Sequence, residues 1–402
     1  MNNANLFLVF LYQKGREMKK IKLSLVAIAA MTLVSAANAN SLTEALSNGK
    51  ASGDISVTYE SRKQDKEGSA YYSNTAYSVG SVGINYKTAA YNNFSAEVGF
   101  RAYNTLYESD DTFTTSQGSG DATERFYESA GSSMLSRAYL AYDVENTHVK
   151  VGRQGLYTEW LTKLHDAVTV YANPVKNAEL ELIWSKRRGR AYARDLRPMA
   201  QTNNKEGIYK AGLTYTFNDN VKAKAYALKA PQAYDIYGVK VNLDAQLENA
   251  KLGALIHSME TSEKVGTTKD GEMIEIKVFA TVSGLTATLG YVETGKENGW
   301  GSAANLGDTV VPFEEGDQMY VADAKTTYVM LNKAISGVSL TALYGVTDYK
   351  GKYDKSEFNV WAGYKLAKNT SLSIGYAMTN EDKDDTSTTD LQQLNATVTY
   401  KF

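Results

Sequence analysis

The chain has 402 residues, with 43 basic and 45 acidic side chains, 29 tyrosines, 31 glycines, four prolines, three histidines and no cysteine. That balance fits neither a disordered chain nor a collagen or disulfide scaffold. Without cysteine there is no thiolate chemistry and no Cys-based zinc or iron–sulfur site, and His148, His165 and His257 are too scattered for a histidine cluster.

In chain order, the first signal lies at Met18, which opens MKKIKLSLVAIAAMTLVSAANAN. Lys19, Lys20 and Lys22 precede an apolar stretch from Leu23 to Ala36, and Ala37-Asn38-Ala39 forms a small-x-small site, the order of a Sec signal peptide over residues 18–39. The apolar stretch is too short for a spanning helix, which needs roughly 20 residues. Residues 1–17 read as an upstream extension of the gene, because Lys14-Gly15-Arg16-Glu17 is what a purine-rich ribosome-binding site encodes when translated. Removing residues 1–39 takes away five basic residues and one acidic residue, which leaves a mature chain of net charge about −6.

From residue 40 to 402 a single pattern returns. FSAEVGFRAY sets Phe94, Ala96, Val98 and Phe100 against Ser95, Glu97, Gly99 and Arg101, and GIYKAGLTYTF, MIEIKVFATV and VSLTALYGV alternate in the same way. Strict alternation marks strands with one apolar face, and about ten residues is the length of a tilted strand crossing a bilayer. Strands are expected at 51–61, 76–87, 94–107, 134–144, 148–154, 167–172, 178–185, 207–217, 221–229, 234–243, 250–259, 273–282, 285–293, 325–335, 338–348, 355–366, 370–379 and 391–402, about 18 in all.

Short turns such as 145–147, 218–220, Ser283-Gly284, Ser336-Gly337 and 367–369 interleave with longer polar links at 62–75, 108–133, 186–206, 260–272, 294–324 and 380–390. That rhythm predicts an all-β fold: a transmembrane antiparallel up-and-down barrel with short periplasmic turns and long outer loops. All four prolines fall in connections, as a closed hydrogen-bonded wall requires. The apolar rows would then meet outer-membrane lipid, whereas a soluble sandwich would bury them inside. LNATVTYKF places the last strand at the very end of the sequence, where it would pair with the first to remove the sheet edges. A terminal strand finishing in Phe402 also resembles the signal read by the barrel-assembly machinery.

A family resemblance rests on three stretches. SLTEALSNGKASGDISVTYESR looks like the opening of Opr-family (OprD-like) porins and Campylobacter-type major outer membrane proteins; RAYLAYDVENTHVKVGRQGL is similar to their fourth and fifth strands; and AGLTYTFNDNVKAKAYALKAPQAYDIYGVKVNL resembles their central hairpins. The resemblance implies a bacterial outer-membrane porin, a homotrimer whose water-filled channels pass ions and small hydrophilic solutes. The sequence departs from the OprD pattern in having no proline after Gly152-Arg153-Gln154.

In such a barrel the constriction is expected from LYTEWLTKLHDA. Thr158 can cap a short helix with Glu159 in its first turn. Trp160, Leu161 and Leu164 would pack on the inner wall, with Glu159, Lys163, His165 and Asp166 pointing into the lumen; the alternative is a loop over the mouth or at a subunit contact. Opposite them Glu97, Arg101 and Arg137 line the wall, and Arg153 ends a strand whose facing the sequence leaves open. Arginine suits this place because it stays charged and presents a fixed fork to anions.

The basic run SKRRGRAYARDLRP, with Arg187, Arg188 and Arg190, reads as a contact for lipopolysaccharide phosphates, as a lining of the pore mouth, or as a solvated loop. An exported chain does not meet nucleic acid. Acidic residues at Asp110, Asp111, Glu314, Glu315, Asp382, Asp384 and Asp385 would draw cations to the mouth and give a weak cation preference. A bound Ca²⁺ is the one cofactor they suggest, although no twelve-residue calcium loop is present. Two other functions compete: a surface adhesin working through its outer loops, and an outer-membrane hydrolase built on His257-Ser258. The second is weak, because neighbours on a strand point to opposite faces. The expectation is a channel and not an enzyme.

Overall fold

The computed structural model describes residues 39–65, 74–112, 114–307 and 309–402. The expected extension and, apart from Ala39, the expected signal peptide lie outside the described residues. A six-residue helix, α1 (Leu42–Ser47), precedes the strands β1 (Lys50–Gln64), β2 (Thr75–Lys87), β3 (Phe94–Glu108), β4 (Thr114–Thr115), β5 (Gly118–Ser119), β6 (Ser133–Val144), β7 (Thr147–Thr158), β8 (Leu161–Ala172), β9 (Ala178–Tyr192) and β10 (Asp195–Gln201). They continue with β11 (Ile208–Asn218), β12 (Val221–Ala230), β13 (Tyr234–Gln246), β14 (Ala250–Glu263), β15 (Glu272–Val282), β16 (Leu285–Thr294), β17 (Lys325–Ile335), β18 (Val338–Tyr349), β19 (Tyr353–Ala367), β20 (Thr370–Glu381) and β21 (Leu391–Lys401).

Eighteen of these strands form one antiparallel wall, each paired with its neighbour in sequence. β4 and β5 make a separate two-stranded hairpin, and β10 is an extra strand on the upper half of β9. The wall closes where β1 pairs with β21, from Asp54↔Lys401 to Gln64↔Leu391. Closure removes the free edges of the sheet, the condition for crossing a bilayer with strands. Among the described residues no helix is long and apolar enough to cross a membrane.

Alternation sets the facing. On β1 the outward Ile55, Val57 and Tyr59 are exposed, while Ser56, Thr58, Glu60, Arg62 and Gln64 are buried on the lumenal side. The tight turns carry the backbone that two-residue hairpins need: φ is 49° and 75° at Ser283 and Gly284, and 50° and 82° at Ser336 and Gly337.

Two expected boundaries change most. The strand expected at 167–172 begins at Leu161, and the one expected to end at 185 runs on to Tyr192 before turning into β10. The chain between 158 and 166 is therefore not a capped helix: β7 and β8 pair up to Thr158↔Leu161, leaving Glu159 and Trp160 as a two-residue turn. β6 pairs with β7 only as far as Ala138↔Arg153, so the hairpin end beyond Arg153 leaves β6 and carries its buried tip inside the barrel.

Candidate channel constriction

Inside the barrel, wall residues from β12 to β16 meet two inserted segments. Leu156, Trp160 and Leu161 of the β7–β8 tip pack with Tyr226, Leu228, Ile236, Met259 and Val292 of the wall, and with Trp300, Ala303, Val310 and Met319 of segment 295–324. The Trp160 and Trp300 rings lie 4.7 Å apart, and Trp160 Nε1 donates to the Tyr226 hydroxyl at 3.0 Å. These apolar contacts give the tip its position. Trp160, at φ 63°, holds a left-handed backbone that a non-glycine residue adopts only when its surroundings enforce it.

Charge then fixes the turn. Glu159 lies 3.0 Å from Lys210 on β11, 2.6 Å from Lys224 on β12 and 3.4 Å from Lys240 on β13. Lys224 and Lys240 are direct cross-strand partners, and like charges so placed repel. Glu159 therefore neutralises a repulsion built into the wall, helped by Glu181 of β9 at 2.8 Å from Lys210. Burial pushes the Glu159 carboxyl up, but Lys210, Lys224 and Lys240 outweigh it and hold the group well below its ordinary value of 4.5.

A second network forms across the lumen. Arg194, in the turn between β9 and β10, reaches Glu60 of β1 at 2.7 Å and Glu314 of segment 295–324 at 2.7 Å. Arg125 bridges the same two carboxylates at 3.1 and 3.5 Å. Arg62 of β1 contacts Glu124 at 2.5 Å and Glu315 at 3.3 Å, and its Nε donates to Gln393 of β21 at 2.6 Å. Burial raises Glu314, but Arg194 and Arg125 overcome it and hold the group below its ordinary range. Glu124 goes the other way, raised by burial more than Arg62 lowers it.

The expected site residues fall into three groups. On the inner wall, Glu97 accepts from the Tyr139 hydroxyl at 2.5 Å, and Arg101 pairs with Asp54 and donates to Ser81 at 3.1 Å. Arg137 is half-buried and folds back onto the Ser136 carbonyl at 2.9 Å. Around the inserted segments, Glu159 is at the turn, Lys163 is half-buried at φ 85°, and Arg188 donates to the Asn305 carbonyl at 3.2 Å. Arg190 pairs with Asp195 at 2.6 Å. His165 is fully buried, with Nε2 donating to the Thr162 carbonyl at 2.9 Å and Nδ1 accepting from the Ser185 hydroxyl at 2.7 Å, so its ring does not reach open water.

Asp166, expected in the lumen, is corrected to the outward face; Arg153, whose facing the sequence left open, lies there too, and of the readings open for Arg187 the register removes the pore lining. Extended chain in place of the expected helix keeps the alternation running, which puts Arg153 and Asp166 on the outward row with Val151 and Val168. There Arg153 grips Asp166 at 2.7 and 3.0 Å. β9 bulges between Ser185 and Arg187, which sets the exposed Arg187 opposite Asp166 on the same row. The two networks draw mostly on residues that sequence alone did not single out, among them Glu60, Arg62, Arg125, Lys224 and Lys240, while Arg194 comes from the basic run SKRRGRAYARDLRP. Their positions on alternating lumenal rows were readable for the wall members; their partners were not.

His257 is held between the Tyr226 hydroxyl at 2.9 Å and Glu275 at 3.3 Å, while Ser258 stands on the opposite face of β14. The pair is not a nucleophile with its base. Among the described residues no group of three or more Asp, Glu or His side chains is placed to hold a metal ion.

A closed eighteen-stranded wall with inserted segments narrowing its interior defines an outer-membrane porin, a channel for small solutes. The model of the Campylobacter major outer membrane protein family matches residues 18–257, and the chain belongs to that family. A search of curated proteins by sequence finds no match. In fold the chain is similar to Acinetobacter baumannii OccAB4, with a TM-score of 0.74 at 15% identity over 88% of this chain and 98% of that one. Pseudomonas aeruginosa OccK9 (OpdG) gives 0.73 at 13% identity over 89% and 99%. P. aeruginosa OpdK, solved with vanillate, gives 0.69 at 14% over 88% and 98%.

Proposed function

We propose that this porin is a weakly cation-preferring diffusion channel for ions and small hydrophilic solutes, its narrowest part formed by the β7–β8 tip, the β9–β10 turn and segment 295–324. The observation that carries the reading is internal charge compensation. Glu60, Glu124, Glu314 and Glu315 face Arg62, Arg125 and Arg194, and Lys210, Lys224 and Lys240 face Glu159 and Glu181. Four carboxylates against three guanidiniums in one network, and three ammoniums against two carboxylates in the other, cancel to nearly nothing. A wide pore with balanced walls biases its traffic weakly, and the outer acids Asp382 and Asp384, which are not buried as Asp385 is, then set the sign. OpdK was solved with vanillate; in this chain Lys210, Lys224 and Lys240 are all held by Glu159 or Glu181, which supports a general path over one selective for carboxylates.

In the same reading residues 18–39 export the chain, the strand ending at Phe402 addresses it to the assembly machinery, and the protein works as a homotrimer without a cofactor. Liposome swelling tests the channel: for solutes of equal size the expected order is cation, then neutral, then anion, with only a few-fold spread. Entry of an anionic solute tenfold faster than its neutral counterpart would overturn the reading.

A further inference from the structure

The outer surface carries one row whose chemistry the channel does not use. Register links Trp184 to Tyr209, Tyr209 to Lys229 and Lys229 to Asp235, so these four are successive cross-strand neighbours on β9, β11, β12 and β13. Trp184 and Tyr209 are exposed on the lipid side, their rings stacked at 6.5 Å. Lys229 therefore emerges from the apolar belt, two strands and about 10 Å from Trp184. Above Trp184, on the mouth side of the same outward row, stands the exposed Arg187, with the exposed Lys205 in the neighbouring outer loop.

Of the nearby acids, Asp235 is paired with Lys264 at 2.5 Å and Asp166, opposite Arg187, with Arg153 at 2.7 Å. Glu206 keeps its charge, accepting from the neutral Gln232 amide at 3.1 Å while its carbonyl takes the Trp184 indole N–H at 3.2 Å. The indole is thus fixed in orientation, and Lys229 and Arg187 are left as cations at the rim of an aromatic girdle. That combination fits a ligand with an apolar body lying along the wall and an anionic head at the membrane surface. From β13 onward the charge reverses: a groove of about 740 Å³ beside Tyr237 and Val239 is lined by Glu260, Glu272, Glu293 and Glu297 against the single cation Lys296, an excess that would repel the same head.

We propose that the Trp184–Tyr209–Lys229 row, with Arg187 above it, binds the phosphate groups of an outer-leaflet glycolipid whose acyl chains lie on β9, β11 and β12. Arginine offers the phosphate a fork and lysine a point charge. The continuity of the row with the lipid-facing belt selects a lipid over a soluble anion. The proposal is independent of which solutes the channel passes.

The test is native mass spectrometry of the detergent-solubilised protein with bis-phosphorylated lipid A. Wild type is expected to retain the lipid, and the double variant Arg187→Ala, Lys229→Ala to retain it about tenfold less. The charge-keeping pair Arg187→Lys, Lys229→Arg should retain most of it. Heat-modifiable migration on gels establishes that each variant is a folded barrel. Equal retention by the double alanine variant would overturn the proposal, as would equal retention of fully dephosphorylated lipid A. Displacement by excess inorganic phosphate would overturn the lipid assignment and make the row a site for free anions.

Discussion

The two charge networks inside the barrel anchor inserted chain in different ways. At the β7–β8 tip a single carboxylate, Glu159, meets three lysines projected from consecutive strands. Across the lumen, Glu60 and Glu314 share Arg125 and Arg194, and Arg62 ties Glu124 and Glu315 to the same wall. The first is a keystone and the second a mesh. A keystone concentrates the consequence of one substitution; a mesh spreads it, because Glu60 and Glu314 each keep one of Arg125 and Arg194 when the other is lost.

The largest effect is therefore expected at Glu159. Glu159→Gln leaves Lys210, Lys224 and Lys240 facing one another with only Glu181 nearby, and breaking a buried pair from one side costs about 3–5 kcal/mol. The tip should loosen, and the channel should change from cation to anion preference, read as a reversed sign of the zero-current potential. Glu60→Gln should come next: its fully buried side chain serves Arg125 and Arg194 together, so the turn at Arg194 should become mobile and the open-channel current noisier. Glu314→Gln should be milder than Glu60→Gln in the same recording, since Glu60 also lies 3.6 Å from Arg62 and is the more deeply buried of the two. Equal effects at the two positions would contradict that ranking. Smallest is Trp160→Phe, which keeps the ring contact with Trp300 and loses one hydrogen bond to Tyr226, worth about 1 kcal/mol in denaturant-dependent unfolding.

Acid gives an independent comparison. Glu159 and Glu314 are both depressed below their ordinary value of 4.5, so the stability they contribute is present above that value and disappears only as pH falls through the lower, folded-state values. The tip should thus stay anchored on acidification from neutral pH to near 4.5, with no added open-channel noise, and its release should require stronger acid. Glu124 is raised, so it takes up its proton first and moves the mesh toward balance without opening it.

Much of the wall was legible in the sequence, because strand alternation and turn chemistry are local. Lumenal and lipid rows could be assigned for β3, β11 and β15 from their residues alone, and Ser283-Gly284 and Ser336-Gly337 marked their hairpins. The inserted parts were harder for a physical reason. Inside the barrel both faces of a hairpin are covered, so Trp160, Leu161 and Leu164 lose the two-residue period and, with Thr158 and Glu159 ahead of them, imitate a capped helix. Likewise the upper half of β9 is so rich in arginine that it reads as a polar link. Partners such as Glu60 and Arg194, 134 residues apart, meet only once the wall has closed.

The central claim is that the lumenal charges compensate one another. Its most direct test is the zero-current potential of the refolded wild-type protein in a planar bilayer across a salt gradient. The account predicts a small potential of cation sign that shrinks as salt screens the outer acids. A potential near the ideal value for either ion would mean that one network stands open and uncompensated in the pore, and would contradict it.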